Sequence, residues 1–159
     1  MRQTIRKNNP SAEIILADSE LIIDSPEIIK DKKVLVIEDG PTLTHGEMKY
    51  GAGVVAAKRF GAAGLVDPRP HLVGTLKQVF EDYPEIGTLL PAMGYSDEQV
   101  ADLEATINAT DCDLVLVATP IDLTRLIKVK KPTLRIRYEY KDNSEPTLES
   151  LIKSRLTEI

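Results

Sequence analysis

Nine consecutive residues concentrate the polar chemistry of this chain: Glu38, Asp39, Gly40, Pro41, Thr42, Leu43, Thr44, His45 and Gly46. Two carboxylates, two hydroxyls, an imidazole and two glycines exceed what a connector needs, and functional groups gather in loops. The free amides of the helix expected to follow favour an anion such as a phosphate there, and the ammonium of Lys49 adds a charge. His45 is the candidate catalytic residue, an acid or base near neutral pH. Asp39 is the candidate metal ligand, with Glu38 as its alternative, for a magnesium ion whose shell substrate phosphates complete. The same residues also make plain turn chemistry, with Gly40-Pro41 and His45-Gly46 as punctuation and Thr44 as a helix cap.

Three further polar segments recur along the chain. Asp67-Pro68-Arg69-Pro70-His71 holds Arg69 between two prolines, where a planar guanidinium suits bidentate binding of phosphate or carboxylate, or pairs with Asp67 in a rigid turn. His71 is the second of the chain's two histidines. Leu90-Pro91-Ala92-Met93-Gly94-Tyr95-Ser96 offers backbone contacts or a turn with a cap. Thr119-Pro120-Ile121-Asp122-Leu123 supplies Thr119 and Asp122, the latter to orient a ligand group or to cap the next helix.

These segments need a scaffold that brings them together. Val34-Leu35-Val36-Ile37 and Leu114-Val115-Leu116-Val117-Ala118 read as buried strands. Leu65-Val66 and Ile86 to Leu90 read as weaker ones. A small-residue helix is expected from Lys49 to Ala57, closed by Gly61 and Gly64. A second runs from Val73 to Tyr83, and a third opens on the capping box Ser96-Asp97-Glu98-Gln99. A short helical stretch reaches Ile127, and Leu148, Leu151, Ile152 and Leu156 mark a final amphipathic helix. Leu134 to Tyr140 alternates apolar and charged residues, as one strand near an edge does.

Alternation of strand and helix predicts an α/β fold, Rossmann-like and doubly wound, with a mostly parallel sheet. In such a sheet the loops after the strands share one rim, where ligands bind. Residues 1–31 look different, with short strands at Glu13 to Ala17 and Leu21 to Ile23 and a helical turn at Pro26. They are read as an N-terminal appendage to a domain spanning 32–159.

The totals narrow the function further. The chain has 159 residues, 42% hydrophobic and 28% charged, with a net charge of −5. That balance argues against a nucleic-acid binder, which needs a concentrated basic face. Lys128, Lys130 and Lys131 fit a solvated turn. No apolar stretch approaches membrane length, and a reducing, cytoplasmic setting is expected. The single cysteine, Cys112, leaves no disulfide framework or multi-cysteine zinc site. No Gly-x-x-x-x-Gly-Lys-Ser/Thr loop and no Gly-x-Ser-x-Gly elbow occurs, and Gly51-Ala52-Gly53 falls inside a predicted helix.

Taken jointly, several motifs resemble the C-terminal region of the cyclic 2,3-diphosphoglycerate synthetase family, many of whose members are described as predicted GTPases. They are Val34 to Gly46, Met48 to Gly53, Asp67 to Pro70, Leu90 to Tyr95, Thr119 to Leu123, Lys131-Pro132 and Arg135 to Tyr138. The pattern is broken at Glu47, where a second glycine is expected, and at His71, where an aromatic residue is expected. The resemblance implies a P-loop nucleotide-binding domain preceding this region, residues 1–31 being its tail end. It also implies ATP or GTP and Mg²⁺ in the full-length enzyme, a phosphorylated small molecule as ligand, and phosphoryl transfer closing a cyclic pyrophosphate. Phosphate or substrate contact then falls to Thr42, Thr44, Gly46, Lys49, Arg69, His71, Thr119 and Asp122. On this expectation the chain is inactive alone. The alternative is a non-catalytic module that assembles with a P-loop partner or with itself.

Overall fold

The computed structural model describes residues 1–46, 48–94 and 96–157. Along the chain come α1 (Arg2–Asn8), β1 (Ala17–Ile22), β2 (Lys33–Asp39), α2 (Gly40–Thr44), α3 (Ala52–Arg59) and β3 (Gly64–Leu65). Then follow α4 (Thr75–Asp82), β4 (Leu90–Ala92), α5 (Asp97–Ala109), β5 (Leu114–Ala118), β6 (Thr133–Arg135), β7 (Arg137–Asp142) and α6 (Leu148–Thr157). Three short 3₁₀ turns, Pro26–Ile29, Arg69–His71 and Leu123–Arg125, complete the elements described. The chain forms two compact units, one of Leu21–Arg137 and one of Met1–Glu20 with Tyr138–Ile159.

In the larger unit β2 is the centre of a parallel five-stranded sheet. β5 lies along one flank of it, from Val34 beside Leu114 to Glu38 beside Ala118. Two strands share the other flank: β3 beside Lys33 and Val34, β4 beside Ile37 to Asp39. β6 extends the sheet beyond β5. The fold is α/β and Rossmann-like, as the alternation predicted.

Period-two alternation along the central strands divides the core. Val34, Val36, Leu114 and Leu116 pack with Val54, Ala56 and Ala57 of α3 on one face. Leu35, Ile37, Val115 and Val117 pack with Leu76 of α4 and with Leu103 and Ile107 of α5 on the other. Strands covered on both faces must be apolar throughout, which is why these two runs are the clearest signals in the sequence.

Several boundaries differ from expectation. The run from Leu134 to Tyr140 is two strands. Ile136 is fully buried, with its amide on the Val117 carbonyl at 2.8 Å, and the chain then leaves β6 for β7, which pairs with β1. The strand expected at Ile86 to Leu90 is β4, and the two short strands expected near the N-terminus are the single β1. α1 was not expected. In the smaller unit none of the described residues is buried.

Candidate functional site

β2 ends in a helix rather than a turn. Oδ2 of Asp39 accepts hydrogen bonds from the Thr42 amide at 3.2 Å and the Thr42 hydroxyl at 2.6 Å, capping α2. Pro41 sits in its first turn, where the missing N–H is no loss. Thr44 is not the cap of α3. It lies inside α2, buried, and its hydroxyl donates to the Gly40 carbonyl at 3.1 Å. His45 closes α2, its backbone amide on the Pro41 carbonyl at 2.9 Å and its side chain exposed. Thr42 and Gly46 are exposed beside it. Glu47 and Tyr95 lie outside the described residues.

The amides that open α3 are not free for an anion. Oε1 of Glu38 accepts the Gly51 amide at 3.1 Å and the Val54 amide at 3.0 Å. Glu38 is 3% exposed, and burial pushes its carboxyl up from 4.5 to about 7 against the lowering effect of those amides. Asp39 adds a smaller upward push. The helix N-terminus expected to hold a phosphate thus holds the protein's own carboxylate. The two glycines make room for it. A Cβ at Gly51 would stand 2.5 Å from Glu38 Oε2, and one at Gly53 would stand 2.6 Å from Val36 Cγ1. Sequence reasoning treated Glu38 only as a possible metal ligand; the signal for its real place was the pair of glycines at the start of the following helix.

The chain runs from β2 to one flank of the sheet and returns to the other at β5, so strand order reverses between these two strands. That reversal is where open parallel sheets leave a crevice at their carboxyl ends. A small crevice of about 20 Å³ lies there, lined by Asp39, Ala92, Gly94, Thr119, Leu123 and Ile127 among others. Thr119 is buried, and its hydroxyl donates to the Ile121 carbonyl at 2.6 Å. Asp122 caps the turn Leu123–Arg125, accepting from the Thr124 hydroxyl at 2.6 Å and the Thr124 amide at 3.2 Å. The Thr124 hydroxyl holds its carboxyl below the usual range, with Arg135 and Arg125 adding to the effect. Arg135 was not foreseen as a rim residue. Its guanidinium donates to the Pro120 carbonyl at 3.1 Å and lies 3.5 Å from Asp122, while its Nε is buried without a partner. Asp39 and Thr119 therefore meet at the rim, with Asp122 on the loop beside them.

Arg69 and His71 do not join them. β3 is two residues long and stops beside Val34, five residues short of Asp39, or about 16 Å along a strand. The loop after it leaves the sheet below the rim. Arg69 donates to Asp67 at 3.0 Å and to the Ile86 carbonyl at 2.5 Å, over the Phe80 ring at 4.8 Å. It ties a turn to the strand-side loop. His71 is half-buried in the 3₁₀ turn, its amide on the Pro68 carbonyl. Lys49 is exposed and paired with Glu85 at 3.2 Å.

Among the described residues no group of three or more His, Cys, Asp or Glu side chains is placed to hold a metal ion. Oδ2 of Asp39 already serves two donors, so the residues present do not form a magnesium site by themselves. No helix of the described residues is long and apolar enough to cross a membrane.

Arginine synthetase ArcE of Thermococcus kodakarensis is 50% identical to this chain over 153 residues, which are 96% of this chain and 34% of that protein. The chain thus spans about a third of the length of the curated relative it matches. No family model and no solved structure matches it. The relative's name differs from the cyclic 2,3-diphosphoglycerate synthetase family suggested by the motifs, so what stands is kinship with part of a larger, synthetase-type protein.

Proposed function

We propose that this chain is the substrate-handling part of a larger nucleoside-triphosphate-dependent synthetase, with phosphoryl transfer as its chemistry. Arginine, the compound in the relative's name, is proposed among the reaction's participants. The observation that carries the site is the reversal of strand order between β2 and β5, with Asp39 and Thr119 lining the crevice it leaves. On this reading the backbone near Gly46 and the Thr42 hydroxyl, turned from Asp39 to the ligand, take phosphoryl oxygens, and His45, exposed at the end of α2, takes or gives a proton. The nucleotide is held outside this chain, on the P-loop domain that the motif resemblance implies. A magnesium ion would arrive with the phosphates, because Asp39 alone does not make a shell for it.

Titration calorimetry with 2,3-diphosphoglycerate and with inorganic phosphate tests the site. His45→Ala and Thr42→Val are expected to weaken binding at least tenfold, about 1.4 kcal/mol. Equal affinity in the native chain and both variants, or no binding at all, rejects it.

A second reading, an assembly module for a P-loop partner or for a second copy, is favoured by the smaller unit. None of its described residues is buried, and Leu148, Ile152 and Leu156 on α6 are exposed. It predicts an association that survives substitution at the rim; light scattering from a monomer at every concentration rejects it.

A further inference from the structure

A second, larger cleft lies wholly within the Leu21–Arg137 unit. It measures about 470 Å³ and lies between α2 on one side and the end of α4 with the segment after it on the other. Leu43 and Ile86, both members of the core, form an apolar floor. Its charged groups are of both signs: Lys49 on one wall, Asp82 and Glu85 on the other. Lys49 Nζ and Glu85 Oε2 stand 3.2 Å apart with both side chains mostly exposed, so the pair is weak and each half can re-pair with a ligand.

The walls are fixed more firmly than the charges. The Ile86 carbonyl accepts from Arg69, and Gln78 holds Asp82 at 2.9 Å. The backbones of Lys49 and Gly87 approach so closely that a Cβ at Gly87 would stand 2.7 Å from the Lys49 carbonyl oxygen. A trough with an apolar floor, an ammonium on one wall and two carboxylates on the other fits a molecule of matching polarity once the exposed Lys49–Glu85 pair parts around it. Such a molecule carries a carboxylate at one end, a cation at the other and a methylene chain between them.

We propose that this cleft binds a dipolar, amino-acid-type ligand, its carboxylate on Lys49 and its distal cation on Glu85 and Asp82. The proposal rests on the synthetase reading in naming a cationic amino acid, but it places that ligand on residues distinct from the phosphate contacts Thr42 and His45.

Titration calorimetry with three probes tests it: L-arginine, agmatine, which lacks the carboxylate, and L-norleucine, which lacks the distal cation. Lys49→Ala is expected to weaken L-arginine at least about tenfold and to leave agmatine within about twofold. Glu85→Gln is expected to weaken L-arginine and agmatine but not L-norleucine. Both side chains are exposed, so the variants keep the fold, and circular dichroism verifies that. L-arginine affinities unchanged in both variants overturn the proposal, as does the absence of L-arginine binding. If L-arginine fails to bind while the response of phosphate to His45→Ala persists, this cleft is rejected and the rim site stands. Loss of phosphate binding in Lys49→Ala with no change for L-arginine assigns Lys49 to the rim and also overturns it.

Discussion

Glu38 Oε1 accepts the amide of Val54 at 3.0 Å, so the carboxylate at the tip of the central strand caps the helix that follows it. The contact joins β2 to α3 across the loop that carries Thr42 and His45, and it is buried. Folding therefore raises the carboxyl from 4.5 to about 7. Between those values the folded chain binds more protons than the unfolded one, so stability falls as pH rises from about 4.5 to about 7 and then levels. The span corresponds to about 3 kcal/mol at most. Glu38→Gln keeps an oxygen for both amides and removes the titration. Urea unfolding across this range should show a slope in the native chain that is flattened in the variant; identical slopes exclude a raised carboxyl at Glu38.

Gly53→Ala should destabilise the chain by about 1–3 kcal/mol through overpacking. Its new methyl would stand 2.6 Å from Val36 Cγ1 and 3.0 Å from the Ala118 Cβ, on the two central strands. Gly64→Ala meets nothing within 4 Å and serves as the control, with a change within about 0.5 kcal/mol. Thermal unfolding of the two variants gives the comparison.

What the sequence made legible follows how many neighbours each signal needs. Val34 to Ile37 and Leu114 to Ala118 announce themselves because both faces are covered, and every residue must be apolar. The break at Ile136 is invisible in the same terms, since alternation continues unchanged from Arg135 to Arg137 while the chain changes sheet. α1 holds one apolar residue, Ile5, so it has no periodicity to read. At the site, Asp39 and Thr44 are both good caps. The burial of Leu43 against the core, which turns Gly40–Thr44 into a helix, decides for Asp39. In the sequence Arg69 suits a phosphate grip and a turn with Asp67 equally, and the shortness of β3 sets its position. Only register shows that.

Arg69→Ala should cost about 1–2 kcal/mol of stability while leaving phosphate affinity unchanged. The side chain donates to the Ile86 carbonyl, pairs with Asp67 and covers the Phe80 ring, so its loss loosens the turn and leaves a carbonyl without its partner. Urea denaturation and calorimetry on the same variant separate the two effects. A tenfold loss of phosphate binding with native stability would return Arg69 to the ligand site.

Amide hydrogen exchange should divide the chain along its burial. In β2 and β5 every residue from Val34 to Ile37 and from Leu114 to Ala118 is buried, and each strand has a paired neighbour on both flanks. Opening these strands disrupts both core faces, so their exchange is expected to track global unfolding. Amides of α1 and α6 exchange through local opening, because neither helix has a buried residue to hold it shut. Mass spectrometry should find α1 and α6 fully exchanged within minutes at neutral pH while β2 and β5 keep their protons for far longer. Protection of α6 equal to that of β5 would mean that its apolar stripe, Leu148, Ile152 and Leu156, is covered in solution. Repeating the measurement at higher dilution then decides whether a second copy of the chain supplies the cover.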